Sequence, residues 1–208
     1  MKTVALIALL AFPGIAFAQP VEDAPEPNAA PPSSAAPITD APAGDEAAIE
    51  DETPEARLDR LFGALANTEG EAADRIANEI STVWARSGSA SMDLLLNRVR
   101  KATNDEDYDK ARAHVSALTR LAPDFAEGWN ASATLYFILE DYWRSVEHIE
   151  RTLALEPRHF GALAGLALIL ERVDRKAAAL ETWEKVYALF PGMERAKEAI
   201  DRLKPEVA

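Results

Sequence analysis

Three histidines, His114, His148 and His159, are the first residues to test for chemistry. None falls in an H-E-x-x-H or comparable spacing, so no helix face gathers two imidazoles for a metal. His148 stands between Glu147 and Glu150, an ordinary charged helix face. The run "NDEDYD" (Asn104 to Asp109) has the acid density of a calcium loop. It lacks the central glycine and closing glutamate that an EF-hand needs, and reads as a turn feeding a helix start, where acids suit the dipole. The sequence contains no G-x-S-x-G and no phosphate-cradling glycine loop. Cysteine is absent, which removes thiolate ligands, thiol nucleophiles and disulfides together. The pattern therefore implies no catalytic residues, no cofactor and no metal. "GALAG" (Gly161 to Gly165) is a G-x-x-x-G in an apolar run too short to span a membrane. Gly165 inside a helix costs roughly 1 kcal/mol against alanine, and close packing against a neighbouring helix is the expected compensation.

Composition narrows the partner class. The 208 residues carry 35 acidic and 22 basic side chains. Phosphate backbones need a basic face, so nucleic acid is not expected as a partner. The start of the chain reads as an export signal: Lys2, then the apolar "VALIALLAF", then an A-x-A site (Ala16 to Ala18). Cleavage is expected near Ala18/Gln19, which in a Gram-negative cell means the periplasm. No later stretch is long enough to span a bilayer. Residues 19–56 hold eight prolines, ten acidic residues and no lysine or arginine. Such a segment cannot offset its ordering entropy by burial and is expected to be a disordered spacer. It carries −10 of the net −13.

The elements behind these residues follow a period. Pro123, Pro157 and Pro191 stand 34 residues apart, each preceded by leucine two places earlier (Leu121, Leu155, Leu189). A fixed period of this length marks a repeat array. In the unit 126–159, Trp129, Ala133, Tyr136, Ser145, Ile149, Thr152 and Pro157 fall at positions 4, 8, 11, 20, 24, 27 and 32. The unit 160–193 repeats this with Leu163, Leu166, Ala167, Leu170, Ala179, Trp183, Val186 and Pro191. The unit 92–125 keeps Leu95, Asp107, Tyr108, Ala111, Val115, Leu121 and Pro123, but departs at Arg98, Val99 and Ala102. Apolar residues recur at helical steps, as in Leu135, Ile138 and Leu139. Small residues at positions 8 and 20 let two helices approach, Ala133 toward Ser145 and Ala167 toward Ala179. Proline at 32 lacks an N–H and ends the second helix, and the leucine two places before it is expected to plug the core.

The aromatic, small, aromatic, then alanine, aromatic and proline order resembles the tetratricopeptide repeat. The resemblance implies an all-α, right-handed solenoid of antiparallel helix pairs, three to four repeats with a C-terminal capping helix and tail over 194–208. Residues 57–91 read as one more helix pair, a divergent repeat or an N-terminal cap. Thr53-Pro54 is a helix-start signal just before it. The resemblance also implies a groove lined by the first helices, at positions that here include Arg100, Asn130, Thr134, Phe137, Leu168, Glu171 and Arg172. Trp143, at a position often exposed in the family, is a possible surface anchor. The function so implied is a non-enzymatic scaffold for a protein or peptide partner in the bacterial cell envelope. The alternative is a non-catalytic accessory subunit of an envelope-assembly enzyme complex. The partner and the oligomeric state are not encoded in the fold.

Overall fold

A computed structural model describes residues 52–207; the expected signal segment and almost all of the acidic spacer lie outside them. The described residues form nine helices and no strand. They are α1 (Pro54–Leu65), α2 (Gly70–Trp84), α3 (Ala90–Asn104), α4 (Tyr108–Leu121), α5 (Ala126–Ile138), α6 (Tyr142–Leu155), α7 (Phe160–Arg172), α8 (Lys176–Leu189) and α9 (Glu194–Val207). Helix α1 begins at Pro54, inside the stretch that composition assigned to the spacer. Thr53 caps it, its side chain accepting from the Ala56 N–H at 3.2 Å.

The 34-residue period is visible in the backbone. Before each repeat proline the chain leaves the helix in nearly the same conformation: Ala122 at φ −131°, Glu156 at −135° and Phe190 at −138°. Proline disfavours the helical region for its predecessor, and the three second helices end at Leu121, Leu155 and Leu189. Between the two helices of each repeat a non-glycine residue takes a left-handed conformation: Glu106, Glu140 and Asp174, at φ 57°, 58° and 58°. The following N–H reaches back across the turn each time, Asp107 to Ala102 O, Asp141 to Tyr136 O and Arg175 to Leu170 O, at 2.8–2.9 Å. This bond satisfies a carbonyl that the helix end leaves open. Asp107 and Asp141 then cap α4 and α6 through their carboxylates, while Arg175 makes no such cap for α8.

Helix pairs α3–α4, α5–α6 and α7–α8 stack in order, and α9 closes the stack against α8. The small positions work as spacing implies. Ser145 is buried and its Oγ donates to the Ala133 carbonyl at 2.9 Å, while Ala167 and Ala179 are wholly buried in one cluster with Trp183. In α3, Val99 and Ala102 depart from the repeat pattern but are buried all the same, packed with Leu96, Ala111, Val115 and Leu118. Gly165 differs from expectation. A methyl placed there would lie 3.6 Å from Ile149 Cδ1, an ordinary contact, so close packing does not require glycine at this position.

The α1–α2 pair does not simply extend the stack. Leu58, Leu61, Phe62, Leu65, Ile80 and Trp84 form a core whose other wall is Phe160 and Phe190, from the third repeat. The pair is folded back onto the two proline turns that flank α7 and α8. At Gly192 in the second turn an added Cβ would sit 2.9 Å from Ala73 Cβ, so glycine is what allows α2 to seat there.

Candidate functional site

The first helices of the repeats lie side by side, α3 against α5 and α5 against α7. Polar residues on this row meet across the helix boundaries. Glu127, near the start of α5, is only 8 % exposed. It accepts from Arg100 Nη2 on α3 at 2.6 Å, from Asn130 Nδ2 one turn on at 3.1 Å, and from His159 Nε2 at 3.0 Å. His159 caps α7: its Nδ1 accepts the Ala162 N–H at 3.1 Å, which leaves Nε2 as the nitrogen that donates to Glu127. Burial acts to raise the Glu127 carboxyl, but the hydrogen bond from His159 and the guanidinium of Arg100 outweigh it and hold the group below its usual value.

Trp84 closes this cluster from above. Its ring is stacked on His159, and its Nε1–H donates to Glu156 Oε2 at 3.3 Å. Beside it, Arg158 reaches Asp59 of α1 at 2.6 Å and lies 4.7 Å over the Phe62 ring. Phe62, Phe160 and Phe190 continue the contact edge to face. The α1–α2 pair thus occupies the end of the row where the first helices begin.

The eight expected binding residues separate into groups. Arg100 and Asn130 are brought together, but on Glu127. Thr134 Oγ1 donates to the Asn130 carbonyl at 3.0 Å within its own helix. Glu171 is also engaged internally, accepting from the buried Trp183 Nε1 at 2.7 Å and from Arg202 on α9 at 2.6 Å. Phe137 and Leu168 are half-buried, Phe137 against Tyr142 and Leu168 against the α7–α8–α9 core. Arg172 is exposed and makes no ion pair among the described residues. Trp143 is 82 % exposed at the start of α6, on the turn side rather than in the row.

Sequence reasoning missed the roles of Trp84, His159 and Glu127 as one unit. The available signal was a carboxylate at position 2 of one repeat and a histidine just ahead of the next.

No catalytic geometry accompanies these residues. Ser132 Oγ lies 2.6 Å from His148 Nδ1, the reach of a nucleophile and its base. Ser132 is 1 % exposed, however, so no substrate can meet it, and burial holds the His148 imidazole below its usual value. Among the described residues no cluster of histidine or acidic side chains is placed to hold a metal, and no helix is long and apolar enough to cross a membrane.

No family model matches the chain. Curated proteins do. A TPR repeat-containing protein of Rhizobium etli is 38 % identical over 157 residues, covering 75 % of this chain and 77 % of that protein. Anaphase-promoting complex subunit 7 of Dictyostelium discoideum is 24 % identical over 110 residues, 53 % of this chain but 18 % of the longer protein. With a helix pair repeated every 34 residues and a relative matched over most of both lengths, the chain belongs to the tetratricopeptide-repeat proteins.

Proposed function

We propose that the protein is an exported scaffold of the bacterial cell envelope that holds a protein partner and performs no catalysis. Membership of a repeat family built for protein contacts supports the general reading. The observation that carries the binding surface is the division of the row of first helices. Its beginning is closed by Glu127, Arg100 and Trp84, while Phe137, Leu168 and Arg172 remain partly or fully accessible farther along. Two partly accessible apolar side chains and a guanidinium with no ion pair among the described residues suit a helical or extended segment with an apolar anchor and an acid.

Export rests on the A-x-A site after a short apolar run. The mature chain begins at or near Gln19, which N-terminal sequencing of the periplasmic fraction reads directly. The same fraction serves for affinity capture. A partner retained by the wild-type chain and by Trp143→Ala, but lost with Arg172→Glu, supports the row as the working surface. Loss with Trp143→Ala and retention with Arg172→Glu moves binding to the turn side. An intact Met1 on membrane-bound protein overturns the export reading.

A further inference from the structure

The α1–α2 pair shares its core with residues much farther along the chain, Phe160 and Phe190, and its ion pair with Arg158. Its link to α3 is short. Residues 85–89 contain Gly88 at φ 79°, with open space where a side chain would stand. Ser87 fastens the link: its N–H and its hydroxyl both donate to Asp93 Oδ1, at 2.8 and 2.5 Å. The geometry is that of a hinge holding a docked module.

Both docking surfaces are apolar. Lifting the pair would uncover Phe62, Leu65, Ile80 and Trp84 on one side and Phe160 and Phe190 on the other, and large aromatic side chains dominate such burial. Anything that replaces the pair must offer an indole to His159, a donor to Glu156 and an acid to Arg158. A second copy of the chain offers all three in the same arrangement.

We propose that the α1–α2 pair is exchangeable and that two copies swap it through the hinge at residues 85–89. Each pair then seats on the His159–Phe160–Phe190 surface of the other copy. Every docking contact is re-formed, so the difference between closed monomer and swapped dimer is confined to the hinge and to the entropy of association. Opening the hinge releases the left-handed Gly88 and gives up the Ser87–Asp93 fastening.

The chain has no cysteine, which gives a clean background for cross-linking. Full-length Ala73→Cys and Gly192→Cys chains are mixed, unfolded and refolded together at high concentration with oxidation. A Cβ at 192 would lie 2.9 Å from Ala73 Cβ, closer than the roughly 3.5–4.5 Å a disulfide spans, so α2 must back away slightly, and the bond then holds the pair that the added side chain alone would loosen. Because Ala73 is buried, Asp59→Cys with Arg158→Cys is the second pair, placed at an exposed contact; a long arginine spans that gap in the wild type, so this pair is joined with a flexible bis-maleimide rather than by oxidation. The expected result is a covalent dimer containing one chain of each kind, with a dimer mass by light scattering before oxidation. Removing Gly88 and Ser89 should raise the dimer fraction, and inserting flexible residues there should lower it. If neither mixture links between chains, while both double variants link within one chain and remain monomeric, exchange does not occur and the proposal is overturned.

Discussion

The imidazole of His159 lies flat on the indole of Trp84, ring centroids 4.2 Å apart and planes 13° from parallel. His159 caps α7 and belongs to the repeat stack, whereas Trp84 is the last residue of α2. This one contact joins the folded-back pair to the polar cluster around Glu127.

Removing the indole should therefore release a module rather than melt the protein. Trp84→Ala deletes a buried aromatic side chain, a change that ordinarily costs about 3–5 kcal/mol. Repeat stacks lose stability locally, because each unit leans mainly on its neighbours. Hydrogen exchange should show α1 and α2 losing protection while α5 to α8 keep theirs. Uniform loss over all helices would mean that the pair and the stack unfold as one.

Glu127 should make the stack acid-sensitive. Its carboxyl is held below its usual value in the folded chain, so the unfolded chain binds the proton more readily. The contribution to stability is fully present above the ordinary carboxylate value and is lost as pH falls through the folded one. Glu127→Gln keeps the shape and removes the charge. At neutral pH it should cost roughly 1–3 kcal/mol, the range for hydrogen bonds to charged groups and for buried partners left unmatched. The variant should also show a flatter fall in Tm between neutral and acid pH than the wild type. Parallel Tm–pH curves for the two proteins would remove Glu127 as the source.

The repeat period made α4 to α8 readable, because proline and the small residues act within one unit and leave a local mark. Pro157 ends α6 whatever surrounds it. The fate of α1 and α2 was not readable. Trp84 sits on an apolar helix face, and that face looks the same whether it meets α3 or Phe160. What decides is the fit of a whole surface, including Gly192 against Ala73, and no spacing encodes that. The candidate site was half legible for the same reason. The positions on the row came from the repeat register, but Arg100 and Glu127 bind each other because neighbouring units place their positions 9 and 2 face to face.

Gly165 offers a test of the register itself. It lies within α7, where glycine is less favourable than alanine by roughly 0.5–1 kcal/mol. The nearest atom to an added methyl is Ile149 Cδ1 at 3.6 Å, which is contact without overlap. Gly165→Ala should raise Tm by an amount consistent with that helix term. A lower Tm would show that α6 and α7 approach more closely than this distance allows. Gly192→Ala is the opposite case, since its methyl would meet Ala73 Cβ at 2.9 Å, and should loosen the α1–α2 pair.

The left-handed turn residues predict a second gain in stability, at Glu140. Its φ of 58° brings Cβ toward the following carbonyl, a strain of roughly 1–2 kcal/mol for residues other than glycine. Glycine relieves it but raises the entropy of the unfolded chain, which takes back part of the gain. The side chain of Glu140 is exposed and makes no hydrogen bond or ion pair among the described residues, so nothing else is given up. Glu140→Gly should stabilise by about 0.5–1 kcal/mol net, and Glu106→Gly, at the same place one repeat earlier, by a similar amount. Glu140→Ala retains the strain and should leave Tm almost unchanged. Urea denaturation of the three variants separates the effects, because a shift in midpoint at constant slope reports stability alone. If glycine lowers the midpoint while alanine does not, the turn tolerates its side chain without strain, and the conformation repeated at Glu106, Glu140 and Asp174 carries no cost to relieve.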